Sequence, residues 1–333
     1  MSKNGFHRVS RSRVLRVAGA AVLVVAVLTV PAAGAAAAAS GCDVSVLPVP
    51  AGTFRSGVTA GDPTGRYLVG DAAVSVEGQT ALVSLLWRGG RLVDFRTPYP
   101  EPVLVDVNSA GTVVGNSFTD SRSTAFRFQD GRFSTLSGLN TGDGSVAVAV
   151  NGRGDVLGYS VEPSLDQHIV VWPAHRPRSP RELVAPVGLN AVDIDDDGTA
   201  LGSAFGAQAN TYLWAPGGTA RQVRGPSGGT DVLAVAIQGG WIGGIDNYTG
   251  SSDVVAWRVR GGPVNTAPDE IVYTVNGHGD LGLQGAIDRR RGGLITVPGL
   301  GGPTGVTVLS DHGLAAGFAN DGTQVHAVTW RGC

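Results

Sequence analysis

Taken as apolar and polar positions, the chain repeats one phrase: a short apolar strand, a polar turn ending in glycine, and a second strand ending in glycine. It is clearest from Val105 to Gly115 and returns from Val148 to Gly158 and from Val192 to Gly202. Anchoring each copy on its turn glycine gives Gly65, Gly111, Gly154, Gly198, Gly239, Gly279 and Gly313, separated by 46, 43, 44, 41, 40 and 34 residues. Fixed self-similarity in this range, built from strands rather than helices, is the signature of a β-propeller. The expectation is therefore an all-β fold, a β-propeller of seven four-stranded blades formed by residues 42–333 as a single domain.

Each copy has a second half, a strand carrying an aromatic, a Gly-rich turn and a final strand, as in Ser84 to Val93 and Thr124 to Phe133. Asp-Gly and Gly-Gly pairs suit such turns, because both central residues need positive φ. Trp87, Trp172, Trp214, Trp257 and Trp330 occupy one equivalent place, filled by Phe128 in the second copy. A residue repeated in every unit packs each blade against its neighbour, which is preferred here to a sugar-binding set. The sixth copy departs, with Asp288 to Gly293 where the aromatic belongs.

Composition adds compartment. With 51 glycines, 16% charged residues against a usual quarter, and 42% hydrophobic residues, the chain is loop-rich and neither disordered nor collagen-like. Lys3, Arg8, Arg11, Arg13 and Arg16 precede an apolar run from Val17 to Val30, then Pro31 and an alanine tract ending at Ser40-Gly41-Cys42. That is the pattern of a signal peptide over residues 1–41, cut close to position 40; a retained anchor would need a longer apolar run. Arg11 and Arg13 are split by Ser12, against the twin-arginine route. Removing the five cations leaves 20 basic against 27 acidic residues, a balance that disfavours nucleic acid and other polyanions. The expectation is a secreted, monomeric protein with no membrane span in its mature part.

These residues resemble the HAF-repeat family of bacterial extracellular proteins, whose pattern runs apolar-Asn, two residues, Gly, two apolar residues and Gly, with His-Ala-Phe, Trp and Gly further on. Val107-Asn108 through Gly115 and Thr124-Ala125-Phe126 match best, and the histidine recurs in His168 to Trp172 and His326 to Trp330. The resemblance covers nearly all of residues 42–333 through short, degenerate motifs, and implies a secreted or surface repeat protein with no established reaction. Two copies alone keep the histidine, which reads as a strand-start residue.

The seventh copy stops at Arg331-Gly332-Cys333 without a fourth strand, and Asp43 to Pro50 has the look of the missing one. Cys42 and Cys333 would then meet where other copies have a turn, and a disulfide would close nearly the whole chain, worth on the order of 5 kcal/mol in the chain-entropy model. Their Cα atoms should lie roughly 4.4 to 6.8 Å apart. The rival is a lipoprotein, with Cys42 lipidated and Cys333 alone.

Sharper motifs are few. Asp193, Asp195, Asp197 and Gly198 begin like a calcium loop, but Leu201 stands where another oxygen ligand is expected, so a solvated acidic turn is favoured over calcium; no other cofactor is expected. Arg153-Gly154-Asp155 reads as an integrin-binding tripeptide built on a glycine the repeat already requires. Gly225 to Gly229 matches a serine-hydrolase elbow without the strand and helix that chemistry needs. Long connections between second and third strands and between blades share one face, the expected binding surface. Its best-stocked residues are Asp120, Arg122, Asp246, Asn247 and Tyr248. The favoured function is a non-catalytic module binding an extracellular glycan, peptide or protein. The alternatives are a hydrolase or lyase at the channel mouth, which a buried, pKa-perturbed pair such as Asp106 with Asp193 would favour, and a structural envelope protein.

Overall fold

Glycine sets the turns of this chain. All seven anchor glycines have positive φ, from 58° at Gly239 to 85° at Gly154 and Gly198, a conformation that costs other residues. The computed structural model describes residues 42–119, 122–186, 188–204, 210–217, 219–225, 228–247, 253–259 and 270–333, and the backbone alone over 263–268. The expected export signal lies outside the described residues. Among those described, no helix is long and apolar enough to cross a membrane.

Strands follow the repeats. β1 is Asp43–Val46, and the first repeat holds β2 (Thr53–Gly61), β3 (Tyr67–Val76), β4 (Gln79–Arg88) and β5 (Arg91–Leu92). The second holds β6 (Pro102–Val107), β7 (Val113–Thr119), β8 (Arg122–Gln129) and β9 (Arg132–Leu136). The third holds β10 (Gly144–Val150), β11 (Val156–Val161), β12 (Gln167–Trp172) and β13 (Arg181–Glu182). The fourth holds β14 (Asn190–Ile194), β15 (Ala200–Ala204), β16 (Asn210–Trp214) and β17 (Ala220–Gln222). The fifth holds β18 (Val232–Gln238), β19 (Trp241–Asp246), β20 (Asp253–Arg258) and β21 (Pro263–Pro268). The sixth holds β22 (Val272–Val275), β23 (Leu281–Leu283), β24 (Ala286–Arg289) and β25 (Gly293–Thr296), and the seventh β26 (Thr304–Leu309), β27 (Leu314–Asn320) and β28 (Val325–Arg331).

The second to sixth repeats each form one four-stranded antiparallel meander, the sixth included despite its missing aromatic. The first and seventh share a sheet, joined where Arg55 of β2 pairs in parallel with Val325 of β28. β1 pairs antiparallel with β28, from Asp43 opposite Arg331 to Val46 opposite Val328. Just beyond that pairing Cys42 and Cys333 form a disulfide with Cα atoms 4.5 Å apart, within the expected range. Each repeat's first strand packs against the first strand of the next, and β26 packs against β2.

The repeated tryptophans are core. Trp87, Trp172, Trp214 and Trp330 are all but fully buried, and Trp257 nearly so. Trp214 packs among Val146, Leu157, Val171 and Leu183 of the preceding repeat. Its indole N–H donates to the Val184 carbonyl of that repeat at 2.9 Å, as Trp172 does to Ser137 and Trp330 to Pro298. Trp87 makes the same bond to Pro48, just past β1, which places the segment after β1 where the other repeats have the end of a fourth strand. Trp87, Trp172, Trp214 and Trp330 thus bury a large apolar surface against the segment before them while satisfying their one donor, whereas the buried indole N–H of Trp257 has no such partner among the described residues.

Candidate functional site

In every repeat but the fifth, the first turn is braced by the residue three before its anchor glycine. Asn151 accepts amides from Arg153 and Asp155 on Oδ1 and donates from Nδ2 to the Asp195 carbonyl of the next repeat. Asn108 does the same locally and donates to Asn151, and Asn276 donates to Ser310. The fifth repeat has no such turn: Gly239 and Gly240 make a two-residue hairpin there. Its neighbour accordingly carries Asp195 rather than asparagine, an acceptor for the Gly239 and Gly240 amides at 2.9 and 2.7 Å.

This accounts for the calcium-like triplet. Asp195 faces those two amides, Asp193 accepts from Ile194 and Ile237, and Asp197 accepts from Thr199. The three carboxylates serve three different sets of backbone donors, and no cluster of three metal-type side chains occurs among the described residues. The Arg153-Gly154-Asp155 tripeptide is folded on itself: Arg153 pairs with Asp155 at 2.9 Å, and Asp155 accepts the Ala174 amide. Pro226 and Ser227 of the elbow-like segment lie outside the described residues.

A cavity of about 260 Å3 is lined by first strands of all seven repeats. Every first strand is bulged here, between Leu104 and Asp106 in β6 and between Ala191 and Asp193 in β14, for example. Asp106 accepts the Val107 amide of its own strand and the Val150 amide of the next, at 2.8 and 2.7 Å. Asp193 repeats this with Ile194 and Ile237. The receiving strands carry Ala149 and Ala236 at the equivalent place, small enough to admit the carboxylate. Burial pushes the Asp106 carboxyl up to about 8 and Asp193 up to about 6, against the pull of these amides; Asp193 and Asp62 add repulsion at Asp106. Both carboxyls are thus buried and perturbed, the feature that would favour a hydrolase or lyase at the channel mouth, and each bridges two adjacent repeats. Asp62 was not singled out from sequence, although like Asn108 and Asn151 it stands three residues before its anchor glycine.

A second cavity, of about 510 Å3, opens between the second and third repeats. Arg122 and Arg178 lie on its wall with Thr124, Thr135, Asn140 and Thr141. Arg122 donates to the Asp143 carbonyl. Hydrogen bonds from Asn140 and Ser160 hold the Asp143 carboxyl below its usual range. The cavity therefore presents guanidinium, hydroxyl and amide groups, the set that receives an acidic or hydroxyl-bearing ligand. Of the other expected surface residues, Asp246 differs: at the end of β19 it is 4% exposed, and a Cβ on Gly225 would collide with its carboxylate. The Asn247 amide donates to the Asp231 carbonyl. Asp120 and Tyr248 lie outside the described residues. Arg178 was missed because it precedes β13 on a connection expected to be short.

No family model matches the chain, and no curated protein matches it. Among solved structures it is similar to a Mycobacterium tuberculosis puromycin-hydrolyzing peptidase, at 15% identity and TM-score 0.52, over 85% of this chain and 54% of that one. This chain thus spans about half the length of that peptidase. YCF48 bound to D1 peptide aligns at 12% identity and TM-score 0.48, over 87% of this chain and 96% of that one. TolB from Acinetobacter baumannii aligns at 15% identity and TM-score 0.41, over 86% and 65%. The likeness to the peptidase concerns the fold alone, and with the small four-stranded sheets it supports a β-propeller.

Proposed function

We propose that this chain is an extracellular, non-catalytic binding module, a seven-bladed propeller that follows an export signal over residues 1–41 and whose last blade is completed by β1. Its ligand, an extracellular glycan or protein, engages the cavity around Arg122 and Arg178 through an acidic group. The observation that carries this reading is the contrast between the two cavities. In the first cavity, Asp106 and Asp193 already accept backbone amides on both oxygens, whereas the second offers the guanidinium groups of Arg122 and Arg178 with hydroxyls beside them. The packing of first strand on first strand from β2 round to β26 supports the ring, as does the resemblance to HAF repeats. The test is an array of extracellular glycans and proteins probed with the purified chain and with an Arg122→Ala, Arg178→Ala double variant. Saturable binding lost in the variant is the expected result; absence of any binder, or binding indifferent to both arginines, counts against the proposal.

A second reading, hydrolysis in the channel, draws on the raised Asp106 carboxyl, which is a proton donor at neutral pH. Turnover of ester, glycoside or peptide substrates that disappears in Asp106→Ala while the fold persists would favour it.

A further inference from the structure

The third strand of the first repeat is left open along its edge. β3 and β4 pair over ten residues without a bulge and turn through Glu77 and Gly78, whose φ values are 52° and 81°. A two-residue turn of this kind makes Val76 and Gln79 a hydrogen-bonded pair, so odd-numbered residues of β4 bond inward to β3 and even-numbered ones point their backbone outward. The Val93 amide bonding the Leu86 carbonyl at 2.8 Å agrees with that parity. β5 pairs with Trp87 and Arg88 alone, so the outward amides and carbonyls of Thr80, Leu82 and Ser84 have no backbone partner among the described residues. In the fifth repeat, by contrast, β21 covers β20 along its length.

Natural sheets blunt such an edge with lysine, proline, a bulge or a covering segment. β4 has none of the first three, and Leu82 is 74% exposed. The segment Gln79–Leu85 carries no charge, and it is complementary to itself. Run antiparallel about Leu82, it sets Leu82 opposite Leu82 and Thr80 opposite Ser84, with every outward backbone group meeting a partner and no like charges opposed. We propose that β4 is a homodimerisation edge: a second copy of this chain adds its own β4 antiparallel across a twofold axis at Leu82, joining two sheets into one.

Sedimentation velocity of the purified protein from micromolar to millimolar concentration tests this. The weight-average mass should climb toward twice the monomer's. Leu82→Pro removes one outward amide and no inward bond, and Leu82→Lys sets two cations face to face on the axis. Each variant should keep the parent melting temperature and weaken dimerisation about tenfold or more. Leu82→Cys should crosslink into dimers faster than Val76→Cys, which is exposed but off the axis. A protein monomeric throughout the range overturns the proposal, as does a dimer indifferent to both Leu82 variants, or an edge that takes up an unrelated extended peptide while the chain stays monomeric.

Discussion

At the scale of single residues, neighbouring repeats are held together by side chains that serve two repeats at once. Gly152 lies so close to the next repeat that an added Cβ would stand 2.7 Å from an Asp196 oxygen, the same oxygen that accepts its amide. Because Asp196 is exposed and its carboxylate can swing aside, Gly152→Ala should cost about 1 kcal/mol or less, the worth of the one bond given up, measured by urea unfolding. Asn151→Asp keeps the acceptor for the turn and loses the donor to Asp195, and should cost about 1–3 kcal/mol by the same measurement. Asp106 makes its own pH signature. A carboxyl raised from its usual range to about 8 binds its proton more tightly when folded, so its contribution to stability is complete below about pH 4 and drains away as pH rises toward 8. Alanine already lines the same cavity at Ala149 and Ala236, so Asp106→Ala introduces no residue type foreign to these strands. In that variant the decline of melting temperature between pH 5 and pH 8 should be shallower than in the parent. An unchanged slope would place the proton elsewhere.

Among the elements, two histidines near strand starts tie strands to their connections. His168, second in β12, sits between Glu182 at 2.9 Å and Glu162 at 3.0 Å, and His326, second in β28, reaches Asp321 at 2.8 Å, so each ties its strand to the connection before it. The bonds to Glu182 first and then Glu162 raise the His168 pKa. Their support is therefore present below the ordinary histidine range and is lost as pH climbs through the raised value. Proton NMR should find its midpoint above that range, and lower in Glu182→Gln. Hairpins, anchor glycines and tryptophans were all legible in the sequence because each rests on a local rule: positive φ at a turn, or one large apolar side chain per repeat. The β1–β28 pairing was legible because a strand was missing at one end and present at the other. What was not legible depends on partners far along the chain. Nothing near Asp246 signals that Gly225 closes over it, and nothing near Asp195 signals that the next repeat has traded an asparagine turn for two glycines. The length of the β3–β4 hairpin, too, is set by pairings that a repeat period does not reveal.

For the whole molecule, the two ends carry most of the consequence. Because the Asp193, Asp195 and Asp197 carboxylates are already engaged by backbone amides, the melting temperature should be the same in calcium and in chelator; a rise with calcium would show a bound cation. Reduction of the Cys42–Cys333 bond, by contrast, should lower stability by on the order of 5 kcal/mol, read from unfolding with and without reductant. The pairing of Val46 with Val328 also sets an order of events in time. A chain synthesised from its N-terminus releases β1 first and β28 last, so the earliest strand must wait, without its partner β28, until nearly everything else has been made. Contacts of such sequence separation are the slowest to form. Thiol trapping during refolding should accordingly find both cysteines reactive long after the tryptophans have become shielded, with oxidation as the latch that falls last.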